Sequence, residues 1–222
     1  MTRQEYIDAV KVKIEEISPF DEPEAFIDGD PSSTVKPIIS YIDKSLDEAA
    51  KNCLLTLPLS LLHADIERKT SGMTIDVNGV GIIQGINANY RYVRFRHSAL
   101  QRDITAFVTS EDPIYLLQQN KYTRGGLCKP VAVVASFHDG SNAGQMEIYS
   151  FPSSSATGIY VLLYINTEKK PNSDAIGAKV LSPIEDLIVL ECARIVFNIL
   201  KDYDGAKVCE NEQAAKIQAI LK

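Results

Sequence analysis

The period of the apolar residues changes twice along this chain, and that double change constrains the fold more than any single motif. Ile7, Val10, Ile14 and Ile17 recur at helical spacing. Thr2 followed by Glu5 is a capping box that starts this helix, and Ser18-Pro19 ends it. The acidic stretch FDEPEAFIDGDPSS then reads as a loop or linker. A second helix is predicted from Ser33 or Thr34, with Pro37 in its first turn and an apolar stripe through Ile39, Ile42, Leu46, Ala49, Ala50, Cys53 and Leu57 to Pro58.

From about residue 59 the alternation becomes that of strands. MTIDVNGVGIIQ alternates around Asn78-Gly79, which predicts a hairpin with a type I′ turn. NYRYVRFR, DITAFVTS, KPVAVVASFH, QMEIYSF and TGIYVLLYIN are further strand candidates, separated by Asp139-Gly140-Ser141 and Pro152-Ser153-Ser154-Ser155. The helical period returns at Ser182, where Ser-Pro-Ile-Glu supplies an N-cap, a proline at the first helical position and a capping glutamate. Asp204-Gly205 is expected to stop that helix. A last short helix, about Lys207 to Leu221, has weaker apolar content and needs the body of the protein or a partner to bury it. The expected fold class is α+β: a discontinuous helical bundle domain, residues 1–58 plus 181–222, with an inserted antiparallel β domain, residues 59–180.

With 222 residues, 45% of them hydrophobic and 23% charged, the chain has the composition of a globular protein. No apolar run approaches the roughly 18 residues that span a bilayer, and MTRQEYIDAV lacks the hydrophobic core of a signal peptide. The expected setting is a cytosol, or an assembly formed in one, without a membrane partner. Cys53, Cys128, Cys192 and Cys209 are dispersed, without a C-x-x-C pair, and His63, His97 and His138 are far apart. Neither a metal site nor a disulfide framework is expected.

Gly79-Val80-Gly81-Ile82-Ile83-Gln84-Gly85 misses the third glycine of a dinucleotide loop by one place and lies in a hairpin pattern, so it reads as turn and strand glycine. No G-x-x-x-x-G-K-[ST] or G-x-S-x-G occurs. Adjacent acids such as Glu15-Glu16 and Asp47-Glu48 do not share a helix face for acid and base work. A Ser/His/Asp or Cys/His site could still be assembled by folding, since triads are spatial, but nothing local asks for one. The chain is expected not to be an enzyme and to carry no cofactor.

Charge is unevenly placed. The whole chain carries −6, and residues 1–60 hold twelve acids and six bases, whereas residues 89–130 hold seven bases and three acids, a net of +4. In NYRYVRFRHSALQRD, a period of two puts Val93 and Phe95 with Arg91 and His97 on one face, and Tyr90, Tyr92, Arg94 and Arg96 on the other. That second face suits sequence-independent nucleic-acid contact through phosphate neutralisation and stacking. It equally suits a subunit interface, with acids of the kind found in residues 1–60 as the complement. The spacing does not match the RNA-recognition motif K/R-G-F/Y-G/A-F-V-x-F/Y.

The order of the pieces resembles the head-to-tail adaptor proteins of tailed bacteriophages. The resemblance lies in LLTLP at Leu54 to Pro58, YRYVRFR, SEDPIYLLQQNKYTRGGLCKPVAVV, MEIYSFPSSSATGIYVLLYI and LSPIEDLIVLECARIVFNILKDYDGAKVCE. Tyr164-Ile165, Ser182-Pro183, Ala193 and Asp204-Gly205 fill the family's closing pattern of strand, loop, capped helix and final helix. Within the group the chain looks most like a ring protein of a crAss-like phage of a Bacteroides host. The resemblance implies a structural virion protein at the head-tail junction, assembled in the bacterial host cytoplasm, with the portal protein, a next tail or ring protein and further copies of itself as partners. It further implies a homododecameric ring, with packaged DNA met only in transit. On that reading Lys207, Ile217, Ile220, Leu221 and Lys222 are the expected portal contacts, and Arg94, Arg96, Arg102, Lys121 and Arg124 the expected subunit or lumen contacts. The alternatives are a sequence-independent nucleic-acid-binding β domain and a small hydrolase.

Overall fold

The computed structural model describes residues 1–18, 38–87, 89–125, 129–135, 143–149, 151, 158–171 and 183–221. The fold is α+β, with helices at both ends of the chain and two sheets between. It comprises two compact units, Met1–Asp65 with Thr167–Lys222, and Ile66–Asn166.

The first unit holds α1 (Arg3–Ile17), α2 (Ile38–Thr56), α4 (Pro183–Ile199) and α5 (Tyr203–Leu221). The capping box forms: Glu5 N–H donates to Thr2 Oγ1 at 3.3 Å, and Thr2 N–H to Glu5 Oε2 at 2.6 Å. The expected start of the second helix and the Ser182 cap lie outside the described residues. α4 is apolar on nearly every side because α1, α2 and α5 all pack on it. Arg3 ties α1 to α2 through Asp43 at 2.7 Å and Asp47 at 2.8 Å. Asp65 and Lys169, where the chain leaves this unit and returns to it, pair at 3.2 Å with both side chains largely buried.

Asp204-Gly205 does not stop α4. The stop is Lys201, at φ 60°, with Asp202 N–H donating to Phe197 O at 2.9 Å and Lys201 N–H to Asn198 O at 3.2 Å, the Schellman pattern. Asp202 then caps α5 by accepting from Gly205 N–H at 2.9 Å, so α5 starts at Tyr203, one turn earlier than expected. Gly205 serves close packing, since a Cβ there would stand 2.8 Å from Phe197 Cδ1. α5 buries Gly205, Ala206 and Cys209.

The second unit has a three-stranded sheet in the order β1-β8-β4 and a five-stranded sheet in the order β2-β3-β7-β6-β5. Its strands are β1 (Ile66–Lys69), β2 (Met73–Ile75), β3 (Val80–Asn87), β4 (Arg91–His97), β5 (Phe107–Thr109), β6 (Val131–Ala135), β7 (Ala143–Tyr149) and β8 (Tyr160–Ile165). The pairing is antiparallel except for β5 with β6, which is parallel. The unit's first and last strands pair with each other, Ile66 opposite Ile165, so its two ends emerge side by side. One core joins the sheets: Ile83, Ile86, Met146 and Ile148 from one meet Phe95, Tyr160 and Leu162 from the other. On the other face of the larger sheet, Val80, Val133 and Tyr149 pack with Tyr115 of α3 (Pro113–Gln119).

The 76–79 turn is not type I′. Asp76 N–H donates to Val80 O at 2.9 Å, Gly79 N–H to Asp76 O at 3.1 Å, and only Gly79 takes positive φ, 72°, which is a three-residue loop ending in a glycine bulge. The Asp76 carboxylate accepts from Asn78 N–H and Val80 N–H at 2.8 Å each, which favours that longer loop. Gly81 lies within β3, and Gly85, at φ 68°, sits where the β3–β7 register slips.

Candidate functional site

The basic strand β4 keeps Arg94 and Arg96 outward but not Tyr92. Its pairing with β8 slips between Tyr92 and Arg94, so Val93 is bulged. Beyond the bulge the period of two holds: Phe95 and His97 are buried, Arg94 and Arg96 exposed. Before it the faces exchange, and Tyr92 packs with Phe107 and Tyr164 against the core instead of sharing a surface with the arginines. Its hydroxyl donates to Asn87 O at 2.6 Å, and Tyr90 stacks on Tyr164 with ring centres 5.2 Å apart. The expected basic and aromatic face is therefore a basic face, because the rings are already paired.

Arg94 and Arg96 share one acid, Asp103, each at 3.8 Å. Two guanidinium groups over one carboxylate leave a net positive charge at the surface, with Arg102 exposed next to Asp103 in the chain. Lys121 and Arg124 belong to a different place, the loop after α3. Lys121 stands over the Tyr122 ring at 5.1 Å. Arg124 is spent within the fold: its guanidinium donates to Gln118 O and Asn78 O, both at 2.8 Å, and lies 5.1 Å from the Tyr149 ring centre. It fixes the hairpin tip to the α3 loop with its donors largely committed within the fold, while its side chain stays partly exposed.

Among the expected portal contacts, Lys207 pairs with Glu210 at 2.6 Å on the exposed side of α5, and Lys222 lies outside the described residues. Ile217, Ile220 and Leu221 continue the helix side that packs on α4. Gln213 donates to Leu187 O at 3.4 Å and Lys216 pairs with Asp186 at 2.9 Å, an antiparallel register that carries the last turn of α5 beyond the described residues of α4. Ile220 and Leu221 are accordingly 40% and 50% exposed.

No protein-family model matches the chain, and no curated protein matches its sequence.

Burial raises the thiols of Cys53, Cys192 and Cys209, Cys192 to about 12 and Cys209 to about 11, away from the low values that make a nucleophile. Cys53 and Cys192 donate to the Leu187 and Ile42 carbonyls, so they act as core residues. Cys128 lies outside the described residues. Among those described, no three His, Cys, Asp or Glu side chains are placed to hold a metal ion, and no helix is long and apolar enough to cross a membrane.

His97 is legible in the sequence only as a core position. Its Nδ1 accepts from Ala99 N–H at 3.0 Å, which puts the proton on Nε2, and that buried atom has no partner among the described residues. The ring meets Phe151 edge-on at 4.8 Å, and burial lowers its pKa below the ordinary 6.5. The neutral ring is therefore fully compatible with the fold above pH 6.5, and its contribution to stability is lost as pH falls below that value through the folded pKa. Asn at this position keeps an acceptor for Ala99 N–H without a proton to gain. Thermal midpoints across that pH range should fall less for His97→Asn than for wild type; equal slopes would remove His97 from the explanation.

Proposed function

We propose that this protein is a structural, non-enzymatic virion component, a head-to-tail adaptor whose copies form a ring between the portal and the next tail or ring protein. In this reading it assembles in the bacterial host cytoplasm, resides at the head-tail junction and lets the genome pass. The observation that carries the proposal is the exposed end of α5: a helix held to α4 through Gln213 and Lys216 leaves Ile220 and Leu221 40% and 50% exposed, without equal cover among the described residues. A partner that lays an apolar surface there would supply the missing burial. The order of elements shared with the adaptor family supports the same reading.

Mass photometry of the purified protein mixed with the portal of the same genome tests it. Wild type should give a ring-scale complex. Ile220→Ser with Leu221→Ser should abolish the complex while moving stability by no more than about 0.5 kcal/mol, as expected of exposed positions. A portal that binds neither form would sink the proposal.

One observation favours a second reading, sequence-independent nucleic-acid binding: the excess positive charge of Arg94 and Arg96 over Asp103. That reading requires a salt-sensitive DNA shift that disappears in Arg94→Ser with Arg96→Ser. The paired state of Tyr90 and Tyr92 removes the stacking half of such a site.

A further inference from the structure

The turn between β2 and β3 holds the one Asn-Gly pair of the sequence, Asn78-Gly79. In such a pair the backbone amide of the second residue can attack the side-chain amide of the first, and glycine favours this because no Cβ obstructs the approach of its nitrogen. A bond forms between Gly79 N and Asn78 Cγ, and the amide proton leaves with the side-chain NH2 as ammonia. Water then opens the five-membered imide. Opening at Cγ leaves aspartate; opening at the former backbone carbonyl leaves isoaspartate, with the main chain rerouted through the side chain.

Both reacting groups are held away from this step. Asn78 is exposed, whereas Gly79, which supplies the attacking nitrogen, is buried. The Gly79 N–H must lose its proton to attack, and it donates to Asp76 O at 3.1 Å. A hydrogen-bonded amide exchanges its proton only when the bond opens. The Asn78 side chain is tied back as well, since its Nδ2 donates to Asp76 Oδ2 at 3.3 Å. Asp76 Oδ1 accepts from Asn78 N–H and Val80 N–H at 2.8 Å each. Asp76 thus engages the nucleophile through its carbonyl and the electrophile through its carboxylate. Two outer ties fix the same turn: Phe151 N–H donates to Gly79 O at 3.0 Å, and the Arg124 guanidinium to Asn78 O at 2.8 Å.

We infer that Asn78 is a site of spontaneous deamidation that Asp76 keeps closed in the folded chain, so that the rate of modification is set by opening of the 76–80 turn. The inference goes beyond the adaptor reading and does not depend on it. Modification would not be locally silent. Isoaspartate lengthens the main chain by one carbon just ahead of Gly79, which fits against the Phe151 carbonyl without room for a Cβ. It also turns the Asn78 carbonyl into a carboxylate beside the Arg124 guanidinium that already bonds that oxygen. The modified turn therefore does not reclose in its original form.

Peptide mapping by mass spectrometry tests it, on the full chain incubated at mildly alkaline pH, folded or unfolded in guanidinium chloride. The readout is acid in place of amide at Asn78, with isoaspartate and aspartate separated by chromatography. Folded wild type should react at least about tenfold more slowly than the unfolded chain, because several hydrogen bonds must open together first. Asp76→Ala should bring the folded rate close to the unfolded one. Asp76→Asn keeps an acceptor for the Asn78 and Val80 backbone amides and loses only the hold on the Asn78 side chain. It should react at an intermediate rate, and it carries the test where the alanine variant does not fold, as judged by circular dichroism. Equal rates for folded and unfolded wild type, an unfolded chain that stays amide at Asn78, or folded Asp76 variants as slow as wild type would each overturn the inference.

Discussion

Gly79→Ala is expected to lose about 3 kcal/mol of stability, far more than the same substitution at Gly72. Both residues have positive φ, 72° and 90°, where a Cβ costs about 1 to 2 kcal/mol. They differ in surroundings. A Cβ at Gly72 meets nothing within 4 Å, whereas at Gly79 it would stand against the Phe151 carbonyl oxygen, well inside contact distance. That oxygen belongs to a backbone tied to the turn, because Phe151 N–H donates to Gly79 O at 3.0 Å. The clash cannot be relieved by rotating a side chain, so it adds about 1 to 3 kcal/mol of overpacking strain. Urea unfolding followed by circular dichroism suits this chain, which has no tryptophan. Equal losses at the two glycines would show that conformation alone, and not the approach of Phe151, makes glycine necessary at 79.

Phe197→Ala is expected to cost about 3 to 5 kcal/mol, the usual range for deleting a buried phenylalanine ring. Phe197 is fully buried in α4, and the start of α5 is fitted to it through the absent side chain of Gly205. Its carbonyl also accepts the Asp202 N–H that closes the helix end. The substitution should therefore loosen α5 before the rest of the helical unit, with faster amide exchange through Ala206 and Cys209. On the proposed function it should weaken portal binding as well, by freeing the helix that carries Ile220 and Leu221. Slow exchange in α5 together with a full loss of stability would place the role of Phe197 elsewhere in the unit.

Elements whose burial is local can be read from the sequence, and those fixed by distant chain cannot. α1 is legible because its cap and apolar stripe lie close together in the chain. β1 escapes the pattern because IERK has one large apolar residue, and its strand character comes from pairing with β8, about a hundred residues away. α3 escapes it although Asp112 and Pro113 supply its start, because Ile114, Leu116 and Leu117 point outward while Gln118 joins Tyr115 on the inner side. Alternation assigns Tyr92 of β4 to the wrong face because one bulged residue, Val93, inverts a period of two. Among the candidate contacts, the exposure of Arg94 and Arg96 follows from alternation alone. The internal use of Arg124 does not, because its acceptors are backbone carbonyls, one of them at Asn78, which no side-chain pattern records.

Under the proposed function this chain is a ring component joined to the portal through the end of α5. Cross-linking mass spectrometry on purified virions of the phage that, under this proposal, encodes it tests that reading most directly. The account predicts the protein in every particle in a one-to-one ratio with the portal, and cross-links from Lys207 or Lys216 of α5 to portal residues. Virions that lack the protein, or that contain it with α5 linked only to proteins other than the portal, would contradict it.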